Sequence, residues 1–280
     1  MTGDMGADLR DWIGKTEVVE DILTPGLVAR FNATLDRDSA TAIGAPAPEL
    51  IHWCLCTDTI ATNALAQDGH PPRGAFLPPV GLPRRMWAGG EINLLAPLGI
   101  GDIVTRTSEI ENIVEKAGRS GPLTFVTLRH KITSDGRLAV NERQDIVYRG
   151  HVANAQGAQT PPPAPMGTHS TQIEINEARL FRYSSITFNA HRIHYDAPYT
   201  KGVEGYGGLV IHGPLQATLL ALFARELSQR PFSRFTYRGI FPAIGTGSLT
   251  LHASSEGNEM KLWTAFGNGP VSMEASAGWE

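Results

Sequence analysis

The apolar positions of this chain fall into two matching series. Residues 213–229, GPLQATLLALFARELSQ, carry Leu215, Leu219, Leu222 and Phe223 at helical spacing, and Leu220 and Leu227 widen the stripe. Gly213–Pro214 supplies a start signal, since proline suits the first helical turn. So broad a stripe predicts a buried helix. The first half carries a similar apolar run at residues 48–69, PELIHWCLCTDTIATNALAQDG, which predicts a second buried helix. Strand patterns follow each run. The first half has MWAGGEINLL, DIVTRTSEIENIVEK, LTFVTLRHKIT and RLAVNERQDIVYR; the second has FTYRGIFPAI, GSLTLHASS, EMKLWTAFG and SMEASAGW. They are rich in β-branched and aromatic residues, often alternate, and are separated by Gly, Asn and Asp turns.

One helix followed by an antiparallel sheet, twice over, predicts an α+β chain of two units. An all-apolar helix and the apolar face of a sheet bury each other when the sheet curls round the helix. That is a double hotdog. A doubly wound parallel sheet does not fit, because strands do not alternate with helices. APLGIGDIVTRTSE at 96–109 resembles FPAIGTGSLTLHAS at 241–254, each a Pro, a Gly-containing turn and an alternating strand, as an internal duplication would leave. The Pro/Ala-rich segment 151–172 has no apolar periodicity and reads as a linker. It separates an N-terminal unit, 1–150, from a C-terminal unit, 173–280.

Composition narrows the functional classes. The chain has 280 residues, 41% of them hydrophobic, enough for one large core or two smaller ones. A net charge of −4 with no basic tract gives no electrostatic footprint for nucleic acid. No run of 18 apolar residues exists to span a membrane. The start, MTGDMGADLRDWIG, lacks the charged and apolar regions of a secretory signal. Cys54 and Cys56, at i and i+2, are poorly placed to pair with each other, which fits a reducing cytoplasm. The expectation is a soluble cytoplasmic protein.

Chemistry concentrates in FNAHRIHYD, residues 188–196. His191 and His194 stand at i and i+3, a spacing some zinc sites use, but no Cys or further His pair supports them, so no metal is expected. Ser184, Ser185 and Thr187 lie nearby, yet no nucleophile elbow is present. Acid–base chemistry needs less: one imidazole, an orienting partner and a donor for developing negative charge. GLVIHGP at 208–214 offers that donor, because His212 and Gly213 open the buried helix where free amides and the helix dipole favour an anion. Gly213 either lets a ligand approach the backbone or simply helps cap the helix.

FRYSSITFNAHRIHYDAPYT and EGYGGLVIHGPLQATLL resemble the catalytic half of the hydroxyacyl-thioester dehydratase type 2 group, within the MaoC-like, R-specific enoyl-CoA hydratase superfamily. GHPPRGAFLPPVGLPRRMWAGGEINLLAPLGIGD and GRSGPLTFVTLRH resemble its N-terminal half, and together the likeness covers most of residues 10–280. The resemblance implies a double hotdog that reversibly adds water to an α,β-unsaturated acyl thioester, with acyl-CoA as substrate, no cofactor and a homodimer as its expected assembly. The superfamily fingerprint Gly-Asp-x-Asn-Pro-x-His-x-Asp places its His on His194 and its last Asp on Asp196. His191 stands at its Asn, Arg192 at its Pro, and Asn189 at its catalytic Asp. An amide orients water but cannot take its proton, so His194 is expected as general base and acid and Asn189 as the water's support. Gly213 matches the glycine whose amide polarises the thioester carbonyl. Asp196 either fixes the imidazole or serves as a turn residue.

The N-terminal half has no comparable His-rich segment and is expected to be non-catalytic, shaping a tunnel for the acyl chain or the CoA arm. Arg84 and Arg85 either meet a phosphate or carboxylate or are solvated at a turn. Arg192 and Arg182, close to the motif, either grip a second carboxylate of a dicarboxylic acyl group or, for Arg192, pair with Asp196. With His191 and His212 they complete the expected substrate contacts. The preferred substrate is mesaconyl-CoA or itaconyl-CoA. Dehydration of linear 3-hydroxyacyl thioesters and non-catalytic acyl-CoA binding are the alternatives.

Overall fold

A computed structural model describes residues 8–38, 40–118, 121–150 and 161–279. The N-terminal residues 1–7, part of the segment read for a secretory signal, and the first ten residues of the linker lie outside them. The remainder of the expected linker is shorter than 172 suggests, because residues from His169 already form a strand.

The first half runs β1 (Thr16–Ile22), α1 (Pro25–Thr34), β2 (Arg84–Leu94), β3 (Ile103–Gly118), β4 (Gly121–Ser134) and β5 (Arg137–Arg149). The second runs β6 (His169–Ile175), α2 (Glu177–Ile186), α3 (Ala197–Gly202), α4 (Gly213–Ser228), β7 (Arg234–Gly239), β8 (Gly247–Glu256), β9 (Glu259–Phe266) and β10 (Val271–Gly278). All pairings are antiparallel, and one ten-stranded sheet has the order β1-β3-β4-β5-β2-β7-β10-β9-β8-β6. Matching β1 to β6 and each of β2–β5 to β7–β10 makes that order the same from either end. The duplication glimpsed at 96–109 and 241–254 is therefore a repeat of the whole topology.

The two units meet at β2 and β7, where Gly89 faces Arg238 and Gly90 faces Tyr237. A Cβ on Gly90 would lie 2.2 Å from the Arg143 carbonyl oxygen and 2.4 Å from the Tyr237 hydroxyl. The glycine lets Tyr237 cross the seam and donate to Glu142 at 3.0 Å.

α4 lies where its stripe predicts. Every residue from Leu215 to Ala224 is buried, against β7, β8, β9 and β10. The helix expected over 48–69 does not form. Ala47 N–H donates to the Leu98 carbonyl, as Ile211 N–H does to that of Ala243, and Ile100 N–H to Ala45 as Gly245 to Leu209. These paired bonds put Pro48 and Glu49 at the positions of His212 and Gly213. There the repeat breaks. Leu50 adopts φ +63° and Cys56 φ +53°, and only a 3-10 turn, Ile51–Cys54, lies between them.

The apolar side chains are buried all the same: Leu50, Ile51, Cys54, Leu55 and Cys56 all belong to the core. Side-chain bonds replace the helical ladder. Asp21 Oδ2 accepts from Cys56 N at 2.9 Å. Glu142 accepts from Trp53 Nε1 at 3.0 Å and pairs with His52 Nε2 at 3.2 Å. Both thiols are free, and burial pushes Cys54 up to about 12. No helix among the described residues is long and apolar enough to cross a membrane.

Candidate active site

A sheet without its central helix leaves room on its concave face. A cavity of about 890 Å³ occupies it, lined by Leu128, His130, Ile132, Gln144 and Ile146 of the first unit. Its opposite wall is Asn189, His191, His194, Ile211 and Gly213 of the second. The site thus sits where one unit kept its helix and the other did not.

α2 aims the His-rich segment. Asn176 caps its start, accepting from Arg179 N at 2.9 Å. Phe188 closes its end at φ +50°, with Asn189 N–H donating to the Ser184 carbonyl at 2.8 Å, the reversal that ends many helices. The chain then turns across the cavity. Asn189 Oδ1 accepts from His191 N at 3.0 Å, which uses one of its two lone pairs, and its NH₂ can only donate.

His194 is 7% exposed, and its Nδ1 lies 2.7 Å from the Val210 carbonyl oxygen. A carbonyl can only accept, so the proton sits on Nδ1 and Nε2 keeps a lone pair for the cavity. Burial pushes its pKa down to about 4; the Val210 bond opposes this, and a proton on His70 would add to it. The His194 ring stacks on His212 at 3.6 Å between centroids. His212 is fully buried, bonds Ser184 Oγ at 2.8 Å, and does not reach the cavity. It backs the His194 imidazole from behind the cavity wall, not from within the lining where a substrate contact was expected.

Gly213 is the first residue of α4, whose N-terminus carries no side-chain cap. Its amide is among those a helix leaves without an internal partner. A Cβ there would meet Trp87 Cε3 at 2.8 Å. Trp87 stacks on Tyr237 at 4.2 Å, so the first unit lays an aromatic cover over the helix start. Gly213 thus starts the helix and also lines the cavity.

The arginines divide. Arg192 is not part of the cavity lining: it pairs with Asp196 Oδ2 (Nη2 at 2.8 Å), covers the Tyr199 ring at 3.9 Å and donates to the Gln67 carbonyl. Asp196 also caps α3 through Tyr199 N at 3.0 Å, so it is a turn residue and Val210 orients the imidazole in its place. Arg182 lies on the outer face of α2, with Nη1 3.4 Å from the Ala33 carbonyl, outside the cavity lining. Arg84 lines the cavity but is held by Glu204. Arg85 lines it with no carboxylate partner among the described residues, beside the Tyr148 hydroxyl.

Sequence reasoning missed Asp68 and His70. Asp68 Oδ2 lies 2.9 Å from His70 Nδ1, and the His70 ring lies 4.0 Å from that of His191. Gly69, at φ +89°, brings this loop against the motif so closely that a Cβ would fall 1.8 Å from the Ala190 carbonyl oxygen. Arg192 N–H ties it down, donating to the Asp68 carbonyl at 2.9 Å. Asp68, His70 and His191 are also the one group among the described residues whose donor atoms, all within 4.8 Å, suit a metal.

Two hotdog units on one continuous sheet, with a histidine-lined cavity at their junction, define a double hotdog of MaoC-like architecture. A MaoC-like dehydratase from Phytophthora capsici has the same fold: TM-score 0.74 at 13% identity, covering 98% of each chain. The family model for hydroxyacyl-thioester dehydratase type 2 matches residues 50–244, and the chain belongs to that family. It is 41% identical over 277 residues to the mesaconyl-C(4)-CoA hydratase of Chloroflexus aurantiacus, covering 96% of this chain and 97% of the relative. It is 25% identical to a mitochondrial hydroxyacyl-thioester dehydratase type 2 of Schizosaccharomyces pombe, over 88% of this chain and 91% of that one.

Proposed function

We propose that this protein reversibly adds water across the double bond of an enoyl-CoA thioester, with a short, branched, dicarboxylic acyl group of the mesaconyl-CoA kind. The observation that carries the reading is one cavity bearing both the bare Nε2 of His194 and the uncapped amide of Gly213. Hydration needs a base for the water and a donor for the thioester oxygen, which gains negative charge as oxygen bonds to C3. His194 takes a water proton and returns it to C2. The Gly213 amide and the α4 dipole hold the enolate-like state, a contribution of about 3 kcal/mol for one such donor. No atom is left over, and no cofactor enters the step.

The dicarboxylic preference rests on Arg85. Its charge is partly buried, lines the cavity and is unpaired by any described acid. It lies near enough to lower the pKa of His70 and His191. A free substrate carboxylate would neutralise it. The hydratase named for mesaconyl-C(4)-CoA, 41% identical to this chain, supports the same choice.

The test is loss of enoyl-thioester absorbance with mesaconyl-CoA, itaconyl-CoA, crotonyl-CoA and a longer trans-2-enoyl-CoA. Arg85→Met is expected to lower kcat/KM for the dicarboxylic substrates about 10- to 100-fold, as loss of hydrogen bonds to a charged group implies. Crotonyl-CoA should be little affected. Wild-type preference for linear enoyl-CoAs would remove the role of Arg85 and leave the hydration chemistry. No turnover of any would overturn the reading.

A further inference from the structure

The superfamily fingerprint has a carboxylate where this chain has Asn189, an amide that cannot take a proton. The Asn189 carbonyl already accepts from the His191 N–H, and its NH₂ can only donate. A water attacking C3 carries two hydrogens, and His194 Nε2 accepts one. The first unit adds His70 to the wall that His191 and His194 form. We propose that His70, held by Asp68, is a catalytic residue of this site: its Nε2 accepts the second hydrogen of the attacking water, the place the missing carboxylate leaves open.

The geometry specifies the state of His70. Asp68 Oδ1 accepts the His70 backbone N–H at 3.0 Å, and Oδ2 lies 2.9 Å from Nδ1. The backbone bond fixes the carboxylate, and the carboxylate fixes the ring. Asp68 is held well below its ordinary range: burial would raise it, but the His70 bonds outweigh burial. An ionised carboxylate only accepts, so the His70 proton is on Nδ1 and the lone pair is on Nε2. No bond to Nε2 forms among the described residues, and the ring lines the cavity.

His70, His191 and His194 form one wall, with successive centroids 4.0 and 5.5 Å apart. His70 and His194 are close enough for a charge on one to be felt at the other. The loop is tied directly to the motif. Gly69 presses on the Ala190 carbonyl, inside the motif, and Asp68 and Gln67 both bond Arg192.

The step balances without a further reactant. One water O–H bond breaks as His194 takes the proton, oxygen bonds to C3, and the imidazolium returns the proton to C2. The hydrogen held by His70 stays on the new hydroxyl. His70 changes no charge; Asp68 sets its tautomer and strengthens it as an acceptor. By this account the first unit supplies half of the active site, not only its tunnel.

The inference rests on the hydratase reading, and one experiment separates the two. His70→Ala, His70→Gln and Asp68→Asn would be assayed on whichever enoyl-CoA the wild type hydrates. His70→Ala should lower kcat about 100-fold, the scale for a misplaced reacting group, with KM changed less than about threefold. Added imidazole should restore part of the rate with saturation. Asp68→Asn should fall comparably, because an amide N–H facing Nδ1 moves the ring proton to Nε2, which then donates where it must accept. Nitrogen-15 spectra should report His70 with Nε2 bare in the wild type and protonated in Asp68→Asn. Circular dichroism checks that each variant is folded.

Wild-type kcat in the His70 variants would overturn the inference alone. So would a loss in all three variants without imidazole rescue or tautomer change, which would mean a structural loop. Loss of wild-type activity on treatment with EDTA, restored by zinc, would overturn it in favour of a metal on Asp68, His70 and His191. A wild type inert to every enoyl-CoA would bring down the hydratase reading and this inference together.

Discussion

His194→Gln is expected to lower kcat about 1000-fold, in the middle of the range for a lost general base, and to leave KM nearly unchanged. Glutamine keeps a polar tip but cannot take a proton. Its side chain can still donate to the Val210 carbonyl, which in wild type accepts at 2.7 Å, so the fold should survive. The pH dependence carries the sharper test. His194 must be neutral to accept, and burial holds its pKa down to about 4. The acidic limb of kcat/KM should therefore fall near pH 4, well below the ordinary histidine value of about 6.5. Stability should respond to the same shift. Between about pH 6.5 and 4 the unfolded chain binds a proton at His194 that the folded chain refuses, so folding weakens as pH falls through that window. His70, His130 and His212 are also depressed, by burial first, and steepen the same slope. An acidic limb near pH 6.5 would mean that another group governs the rate.

Much of this site is legible in the chain, and what is not has physical reasons. α4 could be placed because ten successive residues, Leu215–Ala224, are all buried and have strong helical character. The run at 48–69 has the same apolar density and was misread because burial and helicity are separate properties. Leu50, Ile51, Cys54 and Leu55 fill the core from a turn, held by Asp21 and Glu142, which lie far away in sequence. His194, Gly213 and Asn189 share the cavity, as the motif implied. Of the two readings of Arg192, the structure shows the pair with Asp196, at i and i+4, while Arg182 lies outside the cavity lining. Asp68 and His70 lie in the turn-like QDGH at 67–70, and His70 also falls in the GHPPRGAF stretch that carries the likeness, but neither signal marks a site residue. Their meeting with His191 spans about 120 residues, and no periodicity records a contact of that kind. Arg85 differs from Arg84 only in what stands opposite it, which adjacent positions of one strand cannot reveal.

Glu142→Ala is expected to destabilise the fold by about 3–5 kcal/mol, the range for breaking a buried charged network by removing one member. Glu142 is 2% exposed at the seam between the units. Its oxygens accept from Trp53 Nε1 at 3.0 Å and Tyr237 Oη at 3.0 Å, and lie 3.2 Å from His52 Nε2. These partners come from the turn that replaced the missing helix and from β7 across the junction. Removing the carboxylate strands donors in a buried space, and each unsatisfied group costs about 1–3 kcal/mol. Glu142→Gln, nearly isosteric, should cost less but still turn an N–H toward other donors. The charge is essential to the knot. Burial would raise the Glu142 pKa, yet the bonds from His52 and Trp53 and the nearby His130 hold it lowered. A depressed carboxylate contributes stability that is present above its unfolded pKa, about 4.3, and is lost as pH falls through the lower folded value. Urea denaturation at pH 7 and at successive acid pH values reads both effects. Wild type should lose its advantage over Glu142→Gln as pH drops below about 4. Equal stabilities at pH 7 would show that the turn at 51–54 is held by its apolar side chains alone. The consequence reaches the active site, because Tyr237 carries Trp87 and Trp87 covers Gly213. Loosening the knot should therefore raise KM even where the variant remains folded.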